Sequence, residues 1–138
     1  MKTMTGGCLC GAIRFAAQGE ILDAGWCHCR LCQRHGGTPA GAYCAVAADA
    51  FRFTAGAPLV YRSSDWAERL SCPTCGSALA LRDRAGSFVS FNIAALDEPA
   101  AVRPRRHIWT ASRVAWFDPQ DGLPRFLDGG DTPEPAGR

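Results

Sequence analysis

Three thiols fall within six residues at Cys27-His28-Cys29-Arg30-Leu31-Cys32, and no other stretch restricts the fold of this chain so strongly. On an extended segment residues i and i+2 share a face, so Cys27 and Cys29 point together and a following turn returns Cys32 beneath them. Such crowding suits a metal better than a disulfide framework. Zinc takes four tetrahedral ligands, with sulfur at about 2.3 Å, and a site with three protein ligands keeps a position for water or substrate.

Five further cysteines have to be placed. Gly6-Gly7-Cys8-Leu9-Cys10-Gly11 is a second Cys-x-Cys pair, bracketed by glycines that allow tight folding. Cys72-Pro73-Thr74-Cys75-Gly76 has the Cys-x-x-Cys-Gly form of a zinc knuckle. Cys8, Cys10, Cys72 and Cys75 together make one closed four-thiolate structural site. Cys27, Cys29 and Cys32 make a second, open site, and two zinc ions per chain are expected. Cys44 stands between Tyr43 and Ala45 in an apolar run. As a fourth ligand it would close the second site; as a small buried hydrophobe, the commoner state of a free cysteine, it would leave that site open and the three thiolates as the catalytic group.

Eight cysteines in 138 residues are about 6% of the chain, below the level of a small disulfide scaffold. Met1 to Cys8 lacks the apolar stretch of a secretory signal, and no run approaches a membrane span. A reducing, cytoplasmic setting is therefore expected, where clustered thiols favour metal. Net charge is +2. Lys2 is the single lysine beside fourteen arginines, and the densest basic run, Arg103 to His107, is short and lacks interleaved aromatics. That footprint argues against nucleic acid as a partner.

The remaining pattern is that of short strands and turns. Strands are expected over 12–17, over 23–26 leading into the claw, over 42–46, 51–54 and 59–64, and over 68–71 leading into the knuckle. Residues 78–81 and 87–93 read as a hairpin around Arg82-Asp83-Arg84-Ala85-Gly86. Arg30 to His35 suits one helical turn stopped by Gly36-Gly37, and no long amphipathic helix is visible. The islands 107–109 and 114–117 are expected to pack onto the sheet. One domain is expected over 1–127, with a disordered, proline-rich tail over 128–138.

His28, between two ligands, is expected to turn away from the metal and be packed or hydrogen-bonded; His35 and His107 are candidates for proton transfer. Trp26, Trp109, Trp116 and Phe117 are candidate pocket residues, though large aromatics more often form core. Arg30 and Arg34 can hold carboxylates bidentately or stand as solvated charges.

Gly7-Cys8-x-Cys10-Gly11, Cys27-His28-Cys29-x-x-Cys32, Phe51-x-x-x-x-Gly56 with Tyr61-x-Ser63-Ser64, Cys72-Pro73-x-Cys75-Gly76, His107-Ile108-Trp109 and Asp121-Gly122-Leu123-Pro124-Arg125-Phe126 together resemble the glutathione-dependent formaldehyde-activating enzyme family, also called centromere protein V-like, over about residues 6–126. The resemblance implies a mostly β, Mss4-like tent with short helical turns and two zinc ions partitioned as above. It also implies a carbon–sulfur lyase or S-(hydroxymethyl)glutathione synthase activity, with glutathione or another small thiol as partner. The alternative is a zinc-stabilised protein-binding module without catalysis, in which the claw is a second structural site.

Overall fold

The computed structural model describes residues 2–135. The chain is mostly β, with ten short strands, one seven-residue helix and a few single 3-10 turns among the described residues. It divides into two compact units, one of residues 1–23 and 44–102, the other of residues 24–43 and 103–138.

The first unit begins with β1 (Met4–Gly7), which pairs antiparallel with β2 (Arg14–Ala17), and β2 pairs in turn with β5 (Phe51–Ala55). The alternating Ile13-Arg14-Phe15 puts Ile13 and Phe15 inside, each 1% exposed. Phe15 stacks on Phe51 at 5.2 Å between ring centres and tilts against Phe91 at 5.5 Å; such aromatic pairs add about 0.5–1.5 kcal/mol beyond their buried area. Strands β6 (Leu59–Arg62), β7 (Ala67–Ser71), β8 (Ala78–Asp83) and β9 (Phe88–Asn92) form an antiparallel meander in sequential order. Leu70, Leu79, Val89 and Phe91 are buried beneath it. Asp97 clasps the other end of the unit: it takes hydrogen bonds from both terminal nitrogens of Arg14 and from the Thr5 hydroxyl. Those bonds hold its carboxyl down to about 2, against the opposing pull of burial.

The second unit is built around the claw. The chain enters it within β3 (Ile21–Cys27) and leaves it within β4 (Gly41–Ala47). Between them lies helix α1 (Arg30–Gly36), ended by Gly37 in the left-handed region, φ 63°, where a glycine carries no side-chain penalty. The two-residue strand β10 (His107–Ile108) runs parallel to β3, with His107 opposite Trp26 and Ile108 opposite Cys27. The backbone bond Trp26 N–H to Arg106 O belongs to this pairing, and His28 N–H to Ile108 O carries it one residue past the end of β3.

The expected strands agree with β2, β4, β5 and β7 to β9 within a residue or two at most ends, and the single helical turn is α1. Beyond those expectations lie β1, whose Met4-Thr5-Gly6-Gly7 has no alternation to betray it, and β10, too short for any period. Of the two places open to Trp116, pocket or core, the core is excluded by its 77% exposure, and residues 114–117 form a turn closed by Phe117 N–H on Val114 O. From 128 on, Asp128 accepts from the backbone N–H groups of Gly130, Asp131 and Thr132 and from the Thr132 hydroxyl, while Glu134 pairs with Arg125. Residues 136–138 of the expected tail lie outside the described residues.

Candidate metal centres

Seven of the eight cysteines gather into two groups, Cys8, Cys10, Cys72 and Cys75 in the first unit and Cys27, Cys29 and Cys32 in the second, with the sulfurs of each group within 4.8 Å of one another. Cys44 belongs to neither; on β4 it is completely buried.

The four-thiol group is assembled by two tight turns. At the knuckle the N–H groups of Thr74 and Cys75 point at Cys72 Sγ, at 3.3 and 3.4 Å. Gly76 returns the chain with φ 79°, its N–H on Cys72 O at 2.9 Å; only glycine takes that backbone without strain. At the first Cys-x-Cys turn Ile13 N–H reaches Cys8 Sγ at 3.2 Å. Ser77 links the two turns: its oxygen accepts from Leu9 N–H at 2.9 Å, which leaves its proton for Cys75 Sγ at 3.1 Å. Four sulfurs held at about 2.3 Å by one tetrahedral ion would stand about 3.8 Å apart. Here Cys8 and Cys10 are 3.6 Å apart, and Cys10 and Cys72 3.8 Å, so the donor set fits zinc in number, type and spacing.

The thiols divide their protons as crowded like groups must. The Ser77 hydroxyl and N–H draw Cys75 down to about 5. Cys10 goes up to about 11: the Ala12 N–H works to lower it, and the Cys8 thiol, burial and the other two thiols outweigh that. A dication is the ordinary remedy for such crowding, since a coordinated thiol is deprotonated outright.

The claw rises from the end of β3 through the first turn of α1. Cys29 is the helix N-cap, and its sulfur accepts the Cys32 N–H at 3.3 Å, so two of the three ligands are fixed by one local turn. Gln33 braces that turn from behind: its side-chain NH2 donates to His28 O at 2.7 Å and to Ser112 O at 3.0 Å, and its oxygen accepts from Arg30. Cys27 is buried, and its thiol is pushed up first by its hydrogen bonds with Cys29 and Cys32 and then by burial. Three soft sulfurs again suit zinc, and among the described residues no fourth Cys, His, Asp or Glu joins the group.

His28 turns out to be a buried hydrogen-bonded residue, as its place between two ligands suggested. Its Nε2 meets His107 Nδ1 at 2.8 Å, and His107 Nε2 meets Asp121 Oδ2 at 2.8 Å. Both imidazoles are fully buried, and Phe117 covers His28 with ring centres 6.0 Å apart. Burial, then the neighbouring His107 and arginines, pushes His28 down to about 4. Neither His28 nor His107 is in a ligand group. Arg30 and Arg34 line a recess of about 280 Å³ with Thr38, Pro39, Val114 and Trp116; Trp109 lies elsewhere, against Gly129.

Gln33 and Ser77 were not singled out by sequence, and Asp121 stood there only as the first residue of the Asp121–Phe126 run, with no role attached. Ser77 alone had a local signal, two residues after a knuckle cysteine. Gln33 bonds locally to His28 and Arg30 and also to Ser112 across 79 residues, and Asp121 meets His107 across 14; neither of those longer links shows in spacing.

The pattern of the family described as glutathione-dependent formaldehyde-activating enzyme matches residues 3–112. The chain is also similar to a Rhodobacter sphaeroides protein of known crystal structure, at 28% identity and a TM-score of 0.58, over 74% of this chain and 93% of that one. No curated protein matches it. No helix of the described residues is long and apolar enough to cross a membrane.

Proposed function

Because the chain belongs to the glutathione-dependent formaldehyde-activating enzyme family, we propose that its claw, Cys27, Cys29 and Cys32, is the reaction centre of a zinc-dependent carbon–sulfur lyase acting on the adduct of glutathione, or a similar small thiol, with formaldehyde. The observation that carries this reading is the inequality of the two cysteine groups: one offers four sulfurs and is saturated, the other offers three. Bound there, zinc would keep an incoming thiol deprotonated and oriented in its fourth position.

The chain's own residues supply the rest. In the synthetic direction the thiol sulfur bonds to the formaldehyde carbon, the carbonyl π bond breaks, and the proton released by the thiol ends on the new hydroxyl. The reverse reaction breaks the same carbon–sulfur bond. The Cys29 turn and the Gln33 brace hold the claw sulfurs in place, which spares reorganisation during reaction. Arg30 and Arg34 stand on the helix that carries Cys32, and their recess offers guanidinium forks to the carboxylates of the thiol. The setting we propose is a reducing cytoplasm, where clustered thiols favour metal.

Exchange spectroscopy on labelled formaldehyde mixed with glutathione tests this directly. Zinc-loaded protein should accelerate formation and breakdown of the adduct. Cys32→Ser should lose about 10²-fold or more, the scale of removing one group that stabilises developing charge, while Cys44→Ala should keep the activity. A wild-type protein with metal in both groups and no effect on the exchange would leave the claw as the structural tie of a binding module.

A further inference from the structure

The chain Asp121–His107–His28 joins a surface carboxylate to the residue between two claw ligands. Asp121 is about a third exposed at its side chain and the two imidazoles are not exposed at all. We propose that Asp121 is a positioning residue for the claw: by accepting the His107 Nε2 proton it sets the tautomers of both histidines and thereby fixes the peptide that carries Cys27 and Cys29.

Donor and acceptor rules order the chain. An ionised carboxylate only accepts, so His107 carries its proton on Nε2. With one proton on each ring, His107 presents a lone pair at Nδ1 and His28 donates to it from its own Nε2 across the 2.8 Å contact. His28 Nδ1 is left as a lone pair, and it is a buried atom without a hydrogen-bond partner. Reversing both tautomers would turn lone pair against carboxylate at one end and bury an unpaired N–H at the other, and orphaned donors are the rarer defect in proteins.

The surroundings transmit that choice to the ligands. The backbone of His28 is held on both sides, N–H on Ile108 O at 3.0 Å and carbonyl under Gln33 at 2.7 Å. His107 is pinned by its N–H on Pro124 O and by its carbonyl, which accepts Phe126 N–H. Asp121 is itself oriented by Leu123 N–H on its other oxygen. The ring of His28 is held by His107 and covered by Phe117, and its peptide lies between Cys27 and Cys29, so the ring and the two ligands share one packed segment. Partners of this kind behind metal ligands set affinity through orientation.

The inference rests on the reading of the claw as a metal site, and two measurements separate the two. Long-range nitrogen–proton NMR of the zinc-loaded protein should show His28 and His107 both protonated at Nε2, and Asp121→Asn, whose amide can donate, should displace the pair toward the other tautomer. Chelator competition on cobalt-loaded protein should show claw affinity falling about 10- to 100-fold in Asp121→Asn, with the four-thiol group unchanged as the internal check on folding and Asp121→Glu restoring much of the loss. An Nδ1 proton on either histidine in the wild type, or unchanged claw affinity in Asp121→Asn, would overturn the role of Asp121. A wild-type claw that takes up no cobalt would instead overturn the metal reading, and with it the route by which Asp121 acts.

Discussion

Ser77 shows how much a single hydroxyl settles at a crowded thiol site. It accepts from one turn and donates to the other, so its loss leaves the Leu9 N–H unpaired and a thiolate without its hydrogen bond. Ser77→Ala should weaken metal binding by the Cys8–Cys10–Cys72–Cys75 group by about 10- to 100-fold, as loss of an outer partner commonly does. Chelator competition would read this, and Ser77→Thr, which keeps the hydroxyl, should stay near wild type. Cys44 is the contrasting residue. Its apolar neighbours on β4 and its complete burial fit the small-hydrophobe role that residue type and position suggest.

At the scale of elements, the two cysteine groups close very different loops. The four-thiol group joins turns more than sixty residues apart in sequence, as the Cys10–Cys72 contact shows, whereas the claw is contained in the end of β3 and the first turn of α1. Binding energy at the first is therefore folding energy to a greater degree. Cys72→Ser should lower the melting temperature of the metal-loaded protein well beyond Cys32→Ser; equal or reversed losses in thermal melts would count against this division. The same contrast explains what could be read from sequence. The knuckle, the N-cap turn and the hairpin of β8 and β9 are local, so spacing and alternation betray them. Strand β10 exists because a distant partner recruits it, His107 against Trp26, and β1 pairs with nearby β2, Gly6 against Phe15, but Met4-Thr5-Gly6-Gly7 or His107-Ile108 alone carry no periodic signal. The link between His28 and His107 spans 79 residues; each histidine was visible as a candidate, their union was not.

For the molecule as a whole, each compact unit carries one cysteine group: a saturated set in the first, a set of three sulfurs in the second. Burial does not separate the two, since Cys10 of the saturated group is exposed while Cys27 of the claw is buried. The number of donors does. Under the proposed function a fourth ligand from outside the chain joins only the claw, and that asymmetry is what separates an enzyme from a doubly tied scaffold. Cadmium-113 NMR of fully cadmium-loaded protein measures it directly. Two resonances are predicted, one of them at the position of a four-sulfur site, and added glutathione should move only the other toward that same position. Two resonances that both begin at the four-sulfur position and ignore glutathione would contradict the open claw.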